Sequence, residues 1–294
     1  MNTLQYFGML YVDWAESGYY AYLIVLVAAL ITGLVHKTEY RLPRSTYFLN
    51  ISLVTFGSGL IQAIWLFSLE ATAGGYVWIL ALIDFLSWAA AGYFLVMFGK
   101  ARSNDAFGHS RYAALAFIPL ANFVLLFKGP KDTVFQTSGS GLTVGAPAVV
   151  IGLIAFGIGR GSAPGLEQAV LQKVNEFAGT QTATDIGKAY FEFYLKRDGL
   201  DGGLQYLASL DSVGPIDGVT DLSSITAQNG VLTYDFTIND NSITGLNPEW
   251  TSNVQAGNCI TYTDAINAGA TIKYLYHTQS RVLADIQSHS SSCR

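Results

Sequence analysis

The chain has 294 residues, of which 51% are hydrophobic and only 13% charged, and its mean hydropathy is +0.33. That composition excludes a water-soluble globular protein along its whole length, although it leaves room for one or two domains. The net charge is −5, and residues 160–294 hold eight Lys/Arg against fourteen Asp/Glu, which excludes a nucleic-acid surface with its basic footprint.

Long uncharged apolar runs fill the chain up to about residue 159, and text rich in Asp, Asn, Ser and Thr follows. The expected organisation is a membrane domain over 1–161 and an exported α+β domain over 162–294. The leading residues carry Asp13 and Glu16 but no Lys or Arg, so they do not read as a cleavable signal. Leu4, Phe7, Tyr11 and Trp14 share one helical face there. That face suits either a helix lying in the interface or an aromatic belt anchoring the first span.

Four runs approach the ~20 residues needed to cross the hydrocarbon core: Tyr19–Val35, Tyr47–Leu69, Gly75–Gly99 and Leu142–Gly159. The second carries a polar stripe at helical spacing (Ser52, Thr55, Ser58, Gln62), and the third holds a carboxylate, Asp84. Gln62 and Asp84 fall at similar depths on either side of a very short connection, so the two spans should be antiparallel neighbours that bring this polar pair together. A carboxylate in a span costs about 2.5–3.5 kcal/mol on insertion scales and faces the bundle. Its role is either a proton or solute path or, as one acid without an intramembrane Lys or Arg, interhelical hydrogen bonding.

Between the third and fourth runs lies SRYAALAFIPLANFVLLFKGPKD (Ser110–Asp132). Pro119 and Asn122 interrupt it and leave apolar arms of about seven and five residues, too short to cross. A re-entrant helical hairpin turning at these two residues is expected, with its backbone buried by other helices. Lys37, Arg41 and Arg44 fill the first loop and Lys100, Arg102 and Arg111 the third, while the second has only Glu70. The positive-inside rule then places the N-terminus outside and these basic loops inside. A hairpin adds Lys128 and Lys131 to the inner set and sends the C-terminal half out. Both cysteines, Cys259 and Cys293, lie in that half, where an exported domain would join them in a disulfide.

RLPRSTYFLN (Arg41–Asn50) resembles the Arg-x-Ser-Arg-x-x-Tyr-Trp motif of an uncharacterised family of small bacterial inner-membrane proteins. ARSNDAFGHSRYAALAFIPL (Ala101–Leu120) is similar to the same family's later Arg-x-x-Asp-x-Gly-x-Ser loop running into an Ile-Pro apolar segment. Arg102, Asp105, Gly108, Ser110, Ile118 and Pro119 carry the likeness, which covers roughly 41–127. The chain departs from the pattern in the spacing of Asp105 and Gly108 and in lacking the paired arginine and the aromatic pair. The resemblance implies a membrane fold in the bacterial inner membrane with no established activity.

In the polar half, Leu166–Phe177 and Thr184–Leu195 have helical apolar spacing, RDGLDGG (Arg197–Gly203) breaks the chain, and Leu204–Leu210 is a short helix. Leu232, Tyr234, Phe236 and Ile238 alternate along one strand face, and Asn247-Pro248 starts a helix through about Val254. Ala270–His277 and Arg281–Ser288 read as a hairpin, giving a small antiparallel sheet with packed helices. Pro215–Leu222 with Leu232–Ile238 and the closing Cys293 resembles an uncharacterised exported bacterial module.

Several motifs carry weaker signals. Arg102, Asp105, His109 and Arg111 form a charged cytoplasmic loop cluster, suited to anionic headgroups or to setting topology. GIGRGS (Gly157–Ser162) reads as a flexible exit from the bilayer rather than a phosphate loop. Ala148, Gly152, Ala155 and Gly159 have small-xxx-small spacing for packing inside the protein or against a partner. The four histidines lack ligand spacing, and the acids of the polar half (Asp198 and Asp201, Asp235 and Asp240) lack a calcium-loop pattern. No catalytic residue, cofactor site or metal site is therefore assigned.

The expected fold is an α-helical membrane bundle, four spans plus one re-entrant helical hairpin, followed by a small exported α+β domain. The expected function is that of a non-enzymatic accessory or assembly subunit. It would be multi-pass in the bacterial inner membrane, in contact with lipid, and would present its domain to another membrane or envelope protein. The alternatives are a small transporter or channel using Asp84 and the hairpin, and an enzyme acting on lipid or envelope polymer.

Overall fold

The computed structural model describes residues 1–15, 18–131, 145–177 and 180–293. The chain forms two compact units, Asn2–Thr180 and Gln181–Arg294, where the sequence reading divided it after residue 161. The shift arises because one helix runs unbroken from Ala146 to Phe177. GIGRGS lies inside that helix and is not a flexible exit, since packing of the helix along its neighbour outweighs the weak propensity of glycine.

In the first unit, α1 (Thr3–Ala15) precedes α2 (Tyr20–Val35). Next, α3 (Arg44–Gln62) continues through a 3-10 turn, Ala63–Phe67, into α4 (Ser68–Ala73). The longest apolar helix, α5 (Val77–Phe107), ends at Gly108 in the left-handed conformation, φ 78°. A 3-10 helix, Ser110–Phe117, and α6 (Pro119–Phe127) follow, and α7 is Ala146–Phe177. Two stretches are long and apolar enough to cross a membrane, Arg44–Ala73 and Val77–Phe107, or three if α1 and α2 count as one broken span.

The expectation of four spans plus a hairpin is thus met only in its coarser form, a helical unit with two membrane-capable helices. The 16 residues of α2 rise about 24 Å, short of a core about 30 Å thick. The apolar part of α7, Ala146–Gly159, is shorter again, and the expected start of that run, Leu142–Val144, lies outside the described residues.

Helix directions follow from the contacts. Lys100 Nζ donates to the carbonyls of Gly33 (2.7 Å) and His36 (2.5 Å), so α2 and α5 finish at the same end of the unit. Helix α3 begins there too, because Leu42 N donates to Ala101 O at 3.1 Å. Helix α7 also starts at this end: Gly145 N donates to Ser45 Oγ at 3.1 Å. It then tracks α3 in parallel, with Gly152 on Phe48 and Ser52, Gly159 on Thr55 and Phe56, and Lys173 bonded to Glu70 at 2.5 Å. The expected small face, buried Ala148 and Ala155 with Gly152 and Gly159, is used inside the protein.

The 3-10 helix and α6 pack on one another. Their eight and nine residues extend about 16 and 14 Å. The chain comes back to where it left: Lys131 N donates to Asp105 O at 2.9 Å. Reversal occurs at Ile118, which ends the first arm and caps the second, so Pro119 opens α6 and Asn122 lies inside the helix rather than in the turn.

The second unit starts with α8 (Gln181–Leu210), broken at Gly199, whose φ of 77° and ψ of −170° interrupt the helix as the glycine-rich text foretells. Its sheet has sequential order: β1 (Gly214–Pro215), β2 (Thr220–Gln228), β3 (Val231–Ile238), β4 (Thr271–His277) and β5 (Val282–Ser288). Helices α9 (Pro248–Thr261) and α10 (Thr263–Asn267) link β3 to β4. The sheet is mixed, not antiparallel, because β3 and β4 are parallel. A parallel pair needs a long crossover, which α9 and α10 supply. Leu232, Tyr234, Phe236 and Ile238 do share the buried face of β3, packed with Phe191, Leu204, Ile266, Ile272 and Ile286. Strand β2, missed in the sequence reading, is signalled by Asn229-Gly230, a two-residue hairpin turn with φ of 54° and 74°.

Candidate functional site

The polar centre of the first unit is Asp84, fully buried two turns into α5. Three donors from three helices converge on its carboxyl group: Gln62 Nε2 on Oδ1 at 2.5 Å, and the hydroxyls of Tyr11 (2.8 Å) and Tyr20 (3.0 Å) on Oδ2. They come from α3, α1 and α2, so one acceptor on α5 fastens four helices at a single point. Two other members of the α3 stripe, Thr55 and Ser58, bond their own helix backbone. Thr55 Oγ1 donates to Ile51 O at 3.0 Å and Ser58 Oγ to Thr55 O at 3.0 Å.

Tyr11 and Tyr20 escaped the sequence reading. By sequence Tyr11 shares a face with Leu4, Phe7 and Trp14, but in the structure Leu4, Phe7 and Trp14 are exposed while Tyr11 turns to Asp84. Tyr11, Trp14 and Tyr20 pack edge to face, with centroids 5.5–6.2 Å apart. The available signal was weak: a tyrosine, unlike Leu or Phe, carries a hydroxyl that seeks a buried acceptor.

A second buried group holds α6 against α5. Arg102, fully buried, donates from Nε to Leu125 O at 2.7 Å, from Nη2 to Lys128 O, and from Nη1 to both Leu42 O (3.4 Å) and Asp105 Oδ2. Its planar fork thereby takes up carbonyls at the C-terminal end of α6, where a cation is favoured by the helix dipole. Asp105 completes the ion pair, whereas Arg111 is exposed on the 3-10 helix. Asn122 Oδ1 accepts from the buried Tyr47 hydroxyl at 2.6 Å, which ties α6 to α3. The charged loop cluster is therefore a buried clamp around Arg102 and Asp105 with Arg111 outside it.

In the second unit Cys259 and Cys293 form a disulfide with Cα atoms 5.4 Å apart. Cys259 sits in the last turn of α9, which runs to Thr261 and not only to Val254. His277 Nε2 lies 2.7 Å from Asp235 Oδ1, while His289 contacts Ser291 at 2.9 Å, so the two histidines have separate partners. The acids considered for calcium are each engaged locally. Asp198 pairs with Arg197, Asp201 accepts from Asn229 N and Gly230 N, and Asp240 accepts from Ser242 N and Oγ. Among the described residues, no group of three or more His, Cys, Asp or Glu is arranged to hold a metal ion.

No protein-family model matches the chain, and no curated protein or solved structure matches it.

Proposed function

We propose that this is a non-enzymatic integral membrane protein, an accessory or assembly subunit whose helical bundle anchors an extracytoplasmic α+β unit and presents it to a membrane or envelope partner. The observation that carries this reading is the direction of α7. It starts beside Ser45 at the end of the unit where Lys100, Arg102 and Arg44 gather, and it runs away from that end alongside α3. With the basic end in the cytoplasm, α7 leads the following chain out. In this reading α1–α2, α3–α4, α5 and α7 are the membrane segments and Ser110–Phe127 is a re-entrant hairpin.

Three further observations support it. The outward faces of α2, α5 and α7 carry exposed Leu30, Leu34, Leu86, Phe94, Leu153 and Ile158, as lipid contact requires. The Cys259–Cys293 bridge suits an oxidising compartment. Asp84 is enclosed by Tyr11, Tyr20 and Gln62, an arrangement suited to fastening helices rather than passing a solute. The inner-membrane location rests on the motif likeness over 41–127.

The deciding experiment is extraction of the tagged full chain from its native membranes in mild detergent, followed by mass spectrometry. A membrane or envelope protein recovered in stoichiometric amount is the expected result. Absence of any such partner, together with Asp84-dependent solute or proton uptake into proteoliposomes, would replace the proposal with transport.

A further inference from the structure

The second unit contains a cleft of about 310 Å³ between α8 and the α9–α10 corner, with β3 at its floor. Such a volume is at the small end of ligand pockets, about 300–1,000 Å³. Its lining combines the aromatic rings of Phe191, Tyr234 and Tyr262 with Lys188 and two carboxylates, Asp211 and Asp264.

The hydroxyls behind the cleft form a chain whose direction is fixed by counting hydrogens. Asp211 Oδ2 accepts from Tyr234 at 2.8 Å, so the single phenolic hydrogen of Tyr234 is used. Tyr262 must therefore donate to Tyr234 (3.1 Å), and Tyr274 must donate to Tyr262 (3.3 Å). Burial raises all three phenols above the ordinary tyrosine range, so they remain neutral donors. Every hydrogen of the chain points towards Asp211, and its terminus is a negative charge at the cleft. Tyr234 is 3% exposed, whereas Asp211 is open at the surface. At the mouth, Lys188 lies 3.3 Å from Asp264, and these two exposed groups offset one another. Among the described residues that line the cleft, Asp211 is the charge left without an opposite partner, and its Oδ2 holds the Tyr234 hydroxyl.

We infer that this cleft binds a small organic ammonium compound, with the cation on Asp211 beside the half-buried Tyr262 ring and the apolar body against Leu207 and Leu210. A carboxylate beside an aromatic ring favours a cation that is poorly hydrated on one side, and it discriminates against anions and against neutral analogues of equal shape. The inference concerns the second unit alone and holds whichever way the chain is oriented in the membrane.

The test uses the full chain in detergent and 2-phenylethylammonium as probe, with 2-phenylethanol as its neutral counterpart. Binding is followed by the fluorine signal of 3-fluorotyrosine-labelled protein, the Tyr234 and Tyr262 signals being identified with single Tyr→Phe variants. Saturable shifts of those two signals by the amine are expected. Asp211→Asn, whose amide oxygen can still accept from Tyr234, should weaken binding by about tenfold or more. Asp211→Glu should keep it within a few-fold, and the alcohol should bind equally poorly to wild type and Asp211→Asn. Comparison between variants removes partition of the probe into the micelle. The inference is overturned if the amine gives no saturable shift, or if Asp211→Asn binds it as tightly as wild type.

Discussion

The Tyr11 hydroxyl donates to Asp84 Oδ2 at 2.8 Å, joining residues 73 positions apart and tying α1 to α5. With Tyr20 and Gln62 it makes the Asp84 carboxyl group the common acceptor of three helices. Hydrogen bonds between membrane helices average ~0.6 kcal/mol, so Tyr11→Phe should lower stability by about that amount. Asp84→Leu orphans all three donors and should cost about 2 kcal/mol. Asp84→Asn retains an acceptor oxygen and should lose less than about 1 kcal/mol. Thermal unfolding in one detergent ranks the three, and Leu and Asn variants of equal stability would show that the donors do not depend on this acceptor.

Arg102 bears on topology. A reporter active only outside the cytoplasm should be active when fused after Gly161 and silent when fused at Lys131. Arg102→Leu leaves the Leu125 and Lys128 carbonyls and Asp105 without their buried cation. Removing one partner of such a pair costs about 3 kcal/mol, so the hairpin should lose its hold on α5 and the reporter after Gly161 should lose activity. Activity at Lys131 with silence after Gly161 in the wild type would mean that Ser110–Phe127 crosses.

The cysteine bridge closes a sequence separation of 34 residues. On the chain-entropy model that contributes about 3–4 kcal/mol. Thiol labelling of unreduced, denatured protein should find neither Cys259 nor Cys293 reactive, and Cys259→Ser should lower the unfolding midpoint of the second unit. Two labelled thiols in protein prepared from native membranes would remove the oxidising compartment from the proposal.

Particular residues show what sequence alone can reach. Alternation along β3 is legible because a period of two has one buried face, and Leu232, Tyr234, Phe236 and Ile238 occupy it. The proximity of Gln62 and Asp84 follows from counting depth on both sides of a short connection, and their bond spans 22 residues. The partner of β4 is not legible, since alternation sets the faces of a strand but not the direction of its neighbour. Tyr11 and Arg102 fail for another reason: each is defined by contacts to distant segments, at 73 positions for Tyr11 and 60 for Arg102 with Leu42. Local patterns record an aromatic face or a basic loop at such positions, not the acceptor that claims them.

Asp217 offers a pH test in the second unit. Its Oδ1 accepts from Val219 N at 2.8 Å and Thr220 N at 2.7 Å, and these backbone donors hold the carboxyl below the usual range. A depressed folded value means that the turn is supported above the unfolded pKa of ~3.9 and loses that support as pH falls through the lower folded value. Carbon-13 NMR titration of labelled aspartate should place Asp217 below ~3.9, and Val219→Pro, which removes the first donor, should move it upward. A midpoint at or above that reference in the wild type contradicts the turn geometry.

Two glycines of α7 differ sharply in how closely they approach α3. A Cβ on Gly159 would lie 2.8 Å from Phe56 Cα and 2.9 Å from Thr55 O, both backbone atoms that cannot step aside. A Cβ on Gly157, two residues earlier on the same helix, meets nothing within 4 Å. Gly159→Val should therefore separate the two helices, with a cost in the 1–3 kcal/mol range of overpacked contacts. Gly157→Val should fold like the wild type apart from the gain in helix propensity. Unfolding in detergent measures the difference, and partner recovery adds a second reading. If the small-residue face served an external helix instead of α3, Gly159→Val would abolish co-purification while leaving the isolated protein as stable as the wild type. Loss of intrinsic stability is the outcome that the α3–α7 contact requires.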